Sequence, residues 1–317
     1  MKNLKPVFIR EEIIKSIRAF FYAKNFHEVL VPVLNDTVPL EPNLHPFSTS
    51  WQTNDGDKTL YLSMSPERGL KRMLGMGMGN CFALGKSFRN LESAGSQHIP
   101  EFLMLEWYRE NADYLQIMKD AEELVMSVQN ALLEKQLSTV TFPHIWKQAS
   151  LQTLFEKYVG DYKKIINDEQ YLFQIAEKKG YKIEESSGRE VFDQLFVNEI
   201  ESKLPLEPFF LVDFPSKISP LCKPQKDKSY LVERFELYIN GVEIGNGNTE
   251  YTDEKVVRKS FEREKGSGEK QPVDEKFLKA LKSMQNKSYA GIGLGVDRLA
   301  MLFAGVDDIS LVEPLIF

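Results

Sequence analysis

Several carboxylates recur at spacings that a β-sheet would bring together. In ERFELYINGVEIGNG, residues 233–247, the Asn240-Gly241 pair is the strongest short-range hairpin signal. A two-residue loop there sets Tyr238 opposite Glu243 and Leu237 opposite Ile244. Glu236 shares the face of Tyr238 and becomes a diagonal neighbour of Glu243. Two carboxylates side by side repel each other. A divalent cation would resolve the conflict, and hard oxygen ligands shared with phosphate oxygens suit Mg²⁺. On the hairpin alone, a solvent-facing sheet surface with nearby lysines is the plainer reading. A second stretch, EFLMLEWYRE at 101–110, alternates with period two. Phe102, Met104, Glu106 and Tyr108 share one face, and Leu103, Leu105 and Trp107 take the other. Glu67 and Glu250 lie in other sheet-proximal segments. Together these residues would line a pocket suited to a dicationic small molecule and a flat base.

The elements that must position these groups are legible in outline. Residues 10–24 carry Ile13, Ile14, Ile17, Phe20 and Phe21 on one helical stripe. VLVPVL at 29–34 reads as a short strand, with Pro32 marking an edge or an end. TLYLSM and CFALGKSF read as strands around a helix that starts near Pro66 and runs through Arg72. Residues 114–134 predict an amphipathic helix through Leu115, Met118, Leu124, Val125, Val128 and Leu132. The stretch at about 140–210 is mixed and mostly helical, an insertion within a single domain spanning 1–317. GIGLGVDRLAMLFAG at 291–305 reads as a glycine-rich strand running into a helix. Strands dispersed among helices without regular βαβ alternation predict an α+β fold with an antiparallel sheet flanked by helices.

Composition narrows the classes. The 317 residues are 42% hydrophobic and 27% charged, the profile of an ordinary soluble domain. No apolar run is long enough to span a bilayer, and the N-terminus turns charged and helical at once, without a signal-peptide core. Cys81 and Cys222 make neither a disulfide framework nor a zinc spacing. A reducing cytoplasm is the expected location. The formal net charge of −6 is not the basic footprint of a nucleic-acid binder. The lysine-rich stretch at 217–228 (KISPLCKPQKDK) reads most simply as a solvated loop.

Three ordered motifs carry a resemblance. SFRN at 87–90, HIPEF at 98–102 and MLEWY at 104–108 resemble motif 2 of class II aminoacyl-tRNA synthetases. GIGLGVDRLAML at 291–302 resembles motif 3, and FHEVLVPVL at 26–34 resembles motif 1. ERFELYINGVEIGNGNTE is similar to the lysine-specific subgroup, whose pattern runs close to ERFE…EIGNGFSE. Motif 1 begins within the first few dozen residues, so the anticodon-binding barrel of a lysyl-tRNA synthetase is not expected ahead of it. Order of motifs, length and Glu106-Trp107-Tyr108 resemble instead the elongation factor P–lysine ligase family, lysyl-tRNA synthetase paralogs that attach β-lysine to a lysine of that factor.

The resemblance implies roles. Arg89 would hold the α-phosphate of ATP and the amino-acid carboxylate, His98 and Arg298 the outer phosphates, and Phe102 would stack on adenine. Glu236 and Glu243 would hold Mg²⁺. Glu67 and Glu106 would meet the α-amino end of lysine or β-lysine, Asn246 its carboxylate, and Tyr108 with Glu250 its ε-ammonium. Gly293 would lie under the backbone end of the amino acid. Strict alternation puts Glu243 and Glu250 on opposite faces, so a bulge within Gly245-Asn246-Gly247 is expected to re-aim them. The acceptor would be elongation factor P, with tRNA an unlikely one, and motif 1 would form a homodimer.

Some positions depart from the ligase pattern. Gly293 and Ser219-Pro220-Leu221 are the synthetase-like choices, and Asn248 stands where both families have phenylalanine. FRNLES carries one extra residue before His98, so either Leu91 or Glu92 takes the place of a glutamate that helps hold ATP. Two alternatives follow. One is a truncated lysyl-tRNA-synthetase-like enzyme acting on tRNA or another amine. The other is a catalytically inactive regulator that binds amino acid or tRNA, against which the Arg89, Glu236, Glu243 and Arg298 set argues.

Overall fold

The computed structural model describes residues 4–37, 44–91, 95–184, 186–264 and 274–315. In chain order the strands are β1 (His27–Glu28), β2 (Leu34–Asn35), β3 (Ser48–Thr53), β4 (Gly56–Leu62), β5 (Cys81–Phe88), β6 (Glu101–Glu110), β7 (Lys147–Ser150), β8 (Phe209–Val212), β9 (Arg234–Ile239), β10 (Val242–Thr249) and β11 (Tyr289–Gly295). The α-helices are α1 (Lys5–Ala23), α2 (Glu67–Gly75), α3 (Tyr114–Glu134), α4 (Leu151–Tyr158), α5 (Tyr162–Asn167), α6 (Glu169–Lys178), α7 (Gly188–Leu195), α8 (Glu254–Glu264), α9 (Glu275–Met284) and α10 (Val296–Ala304).

The main sheet has eight strands in the order β1-β5-β6-β11-β10-β9-β8-β7. Its centre is antiparallel, as expected, but β1 runs parallel to β5 and β7 parallel to β8 at the two edges. A separate three-stranded sheet, β2-β4-β3, stands beside it. The period-two stretch becomes β6, and its two faces go to different uses. Leu103, Leu105 and Trp107 enter a large core with Ile9, Ile13, Ile17 and Phe21 of α1 and with α3 and α10. A fully buried side chain of this size contributes about 1.5–3 kcal/mol, so this face locks the sheet onto its helices. α3 starts with a capping box between Asp113 and Gln116, which satisfies its first free amides. Leu115 departs from the predicted stripe: it is 47% exposed on the outer side of the first turn.

Among the described residues, helices cover the opposite face at its two ends. α2, α8 and α9 pack over one end through Leu70, Leu74, Val257, Phe277 and Leu281. At the other, β7 and β8 bracket α4–α7, whose Phe155, Tyr162 and Phe192 join Phe209, Leu211 and Tyr238. The mostly helical stretch therefore begins and ends in strands of the main sheet. Between these covers lie the glycines of β11, which carry no side chain to fill the middle.

The motif 1 segment differs from the single short strand expected of it. Pairing is confined to β1 and β2, and residues 29–33 run between them outside any ladder. Only Val29, whose amide donates to the Phe82 carbonyl at 2.8 Å, extends the β1–β5 pairing. Proline at 32 has no amide to offer a ladder. Leu30 stands 86% exposed, with Val33 and Leu34 also exposed.

Candidate active site

The β9–β10 hairpin turns at Asn240-Gly241, both with positive φ (54° and 73°), as a type I′ turn demands. Glu243 pairs with Tyr238 as predicted. The next expected pair does not form: the register shifts between Glu243 and Gly245, so Leu237 faces Gly245 and Ile244 is the extra residue. The expected bulge exists, one position before the Gly245-Asn246-Gly247 run. Its effect is the one the chemistry needs. Ahead of it Glu243 shares the face of Tyr238, and beyond it Asn246 pairs with Glu236 and Asn248 with Arg234. One face thus collects Glu243, Asn246 and Asn248.

Register extends this face across the sheet. Glu236, Asn246, Gly293, Glu106 and Ala83 form one row over β9, β10, β11, β6 and β5. Arg234, Asn248, Gly291, Tyr108 and Cys81 form the next. Gly291 is required here, because a Cβ would come within 2.3 Å of the Tyr108 ring. Gly293 is under no such constraint, since a Cβ would meet only Met104, at 3.8 Å. Above these rows opens a cavity of about 520 Å³. Glu67, Arg89, His98, Phe102, Glu106, Tyr108, Glu243, Asn246, Gly293 and Arg298 all line it. Glu236 and Glu250 do not; both are buried behind the wall, 8% and 5% exposed. Glu92 lies outside the described residues, and Leu91 is 75% exposed.

The acidic end is dry and tightly bonded. Glu106 is 4% exposed and accepts the Tyr108 hydroxyl at 2.6 Å. Burial, with the charge of Glu67 added, pushes its carboxyl well above the usual range. Burial also pushes Glu250 up to about 7, against the pull of Lys71. The Lys71 ammonium lies 2.7 Å from Glu250 and also bonds Glu67. Burial opposes the charge of Lys71, but Glu250 and Glu67 outweigh it and hold its pKa above the ordinary value. Asn248 lines the wall and donates to Glu250 at 3.3 Å.

The other end is basic and more open. Arg298 donates one nitrogen to the Glu243 carbonyl at 2.9 Å and another to His98 Nε2 at 2.6 Å. A guanidinium only donates, so that imidazole nitrogen accepts. Asp297 anchors the start of α10 by accepting from Leu103 N and Arg10, each at 2.6 Å. The Arg89 guanidinium sits 5.2 Å from the Phe102 ring centre. On the hairpin side, Glu236 accepts from Arg234 at 2.8 Å and from Tyr238 at 3.1 Å. Burial and then the charge of Glu243 push its carboxyl up to about 7.

Sequence reasoning missed Lys71, Arg234 and Gly291. Lys71 had a signal, because it lies one helical turn after Glu67. Arg234 adjoins the hairpin carboxylates, yet alternation alone does not show that it also reaches Ser219 Oγ at 3.0 Å, in the loop that closes the cavity.

Known proteins match this arrangement along most of the chain. Residues 2–315 match the family tRNA synthetases class II (D, K and N). The elongation factor P–(R)-β-lysine ligase of Proteus mirabilis is 34% identical over 313 residues, 95% of this chain and 91% of that protein. The Haemophilus influenzae protein of the same name is 32% identical, covering 97% of this chain and 94% of its own. The lysine–tRNA ligase of Pasteurella multocida is 34% identical over 96% of this chain, which spans 62% of that longer protein. Three motifs, one sheet face and a match over nearly its whole length agree: the chain belongs to the class II tRNA synthetases of the D, K and N group.

Proposed function

We propose that the protein activates lysine or β-lysine with ATP and transfers it to a lysine side chain of elongation factor P. The observation that carries this reading is the polarity of one cavity. Arg89, His98, Phe102 and Arg298 gather at one end, Glu67, Glu106 and Tyr108 at the other. Phe102 to Tyr108 spans about 20 Å along β6, enough for an aminoacyl nucleotide laid along the strand. ATP lies with adenine on Phe102, its α-phosphate at Arg89 and its outer phosphates at His98 and Arg298. The amino acid lies with its carboxylate at Asn246 and Arg89, its amino end at Glu67 and Glu106, and its distal ammonium at Tyr108, with the Glu250 carboxylate buried behind that wall supplying the opposing charge.

The carboxylate attacks the α-phosphorus in line and pyrophosphate leaves; an amine of the acceptor then attacks the acyl carbon and AMP leaves. No side-chain nucleophile is required for activation. The chain's part is to position the reactants and neutralise charge on the phosphate oxygens. Mg²⁺ fits the donor set. Among the described residues no group of three or more His, Cys, Asp or Glu could hold a metal alone. Mg²⁺, however, is commonly held by one or two carboxylates together with substrate phosphates. Glu243 on the cavity wall and Glu236, buried behind it and bonded to Arg234 and Tyr238, would be such a pair; Glu243's charge raises Glu236, a conflict that a cation would relieve. The ion would supply charge neutralisation at the phosphates.

Exposed Leu30, Val33 and Leu34 suit a second copy of the chain and support a homodimer, which light scattering tests. Among the described residues no helix is long and apolar enough to cross a membrane. A second reading, aminoacylation of tRNA, is favoured by Gly293 and by Ser219-Pro220-Leu221 on the cavity wall. The deciding experiment offers purified elongation factor P and tRNA side by side with labelled lysine and β-lysine. Label on elongation factor P alone is expected; label on tRNA alone overturns the proposal.

A further inference from the structure

We infer that Lys71 is a positioning residue of the amino-acid pocket, whose ammonium ties together the carboxylates for the substrate's two ends and so sets the side-chain length accepted. This rests on the pocket assignment just proposed. Lys71 is 1% exposed, and lysine is almost never buried so fully without partners. Its partners are Glu67, expected at the amino end, and Glu250 at 2.7 Å, expected at the distal ammonium. Its nitrogen also lies 5.7 Å from the ring centre of Tyr108, whose hydroxyl bonds Glu106. Every acidic group of this end is therefore joined to Lys71, directly or through one phenol.

The helix that carries Lys71 is tied to its neighbours at several points. It is pinned by the neighbouring Arg68, which pairs with Asp36 and Asp274. Gly75 lets α2 lie against α9, because a Cβ there would come within 2.9 Å of the Ala280 Cα. Stability alone does not account for this lysine, since apolar residues of similar size can replace a buried ion pair at little or no loss. Charge does. Glu67, Glu106 and Glu250 against one ammonium leave two negative charges when all ionise, matching the two ammonium groups of lysine. Without Lys71, Glu67 and Glu250 would repel each other, and the distance between the two recognition points would no longer be held.

The test compares ATP–pyrophosphate exchange for lysine and ornithine, one methylene shorter, in the full chain and in Lys71→Met. The KM for lysine should rise about tenfold or more while the KM for ATP stays within about twofold. The preference for lysine over ornithine, an effect worth about 10- to 200-fold for one methylene, should fall severalfold. An unchanged preference, or equal losses for ATP and lysine, overturns the inference and makes Lys71 a structural ion-pair residue. Lys71→Gln, which keeps a hydrogen-bond donor in the same space, supplies the measurement if the methionine variant does not fold. Failure of both to fold also overturns it. Absence of lysine- or β-lysine-dependent exchange in the unmodified protein is the separate outcome that removes the pocket assignment itself.

Discussion

Glu67 and Glu250 share a lysine that the chain itself provides, whereas Glu236, on the hairpin side of the cavity, divides its oxygens between Arg234 and Tyr238 and still feels Glu243. Both regions crowd carboxylates into a low-dielectric setting, where like charges are costly. The first resolves the conflict with a tethered ammonium, present in every state of the protein. The second would suit a bound divalent cation, the role proposed above for Mg²⁺. A fixed counter-charge gives a fixed distance, which is what discrimination of an amino acid requires. An exchangeable one would let phosphates be held and then released.

The comparison breaks most visibly if the acidic end does not read charge. Norleucine matches lysine in length and lacks the distal ammonium, so binding it places an apolar end against this acidic wall and forgoes the charge contact, at a cost of about 2–5 kcal/mol. Exchange with norleucine equal to that with lysine would contradict the assignment of Tyr108 and Glu250.

On the hairpin side, Glu236→Ala and Glu243→Ala should each lower exchange about a hundredfold, and by similar factors, because losing either carboxylate of a shared pair weakens the hold on an ion set against the phosphates. Titrating Mg²⁺ against each variant is the check. Full activity in either one would separate the two residues and end the shared-ion account.

Gly293→Ala sharpens the contrast within the acidic end. The added methyl meets only Met104 in ordinary contact, so the variant should fold. It projects from the residue paired with Glu106, where the proposed pose puts the amino group. Preference should move from lysine towards β-lysine by about 1–3 kcal/mol, read from exchange rates for the two isomers. An unchanged ratio would pass the choice to Asn248, on the same wall.

The smallest effect is on stability. Glu236 and Glu250 both titrate near 7 in the folded protein, above the ordinary glutamate value of 4.5. The folded state thus binds more protons than the unfolded one between those values. Its stability should be greatest below the lower value and decline as pH rises through about 7. Thermal melts across this range should show the decline, and Glu250→Gln should flatten it. A melting temperature that rises with pH, with no flattening in the variant, would show that Glu250 is not raised.

Most of what the cavity needs was written locally. The alternation at 101–110 assigned Phe102, Met104, Glu106 and Tyr108 to one face, and all four line the cavity. The Asn240-Gly241 turn set Glu243 opposite Tyr238. Each of these depends on neighbours within a few residues, where backbone periodicity and turn geometry act. The bulge was foreseen from its purpose and misplaced by its glycines, because its position depends on the ladder with β9 rather than on which residue could bulge.

What the amino-acid sequence determined by itself was the family, the strand faces, the turn and the identity of the charged groups, since periodicity and short motifs encode these directly. Tertiary structure alone decided which charges meet. It buried Glu236 and Glu250 behind the wall, carried Lys71 between two carboxylates far apart in the chain, and left motif 1 apolar and exposed. Pairing across long separations depends on how helices pack over a sheet, and the energy of a buried charge depends on everything within a few ångströms of it. No local pattern records either quantity.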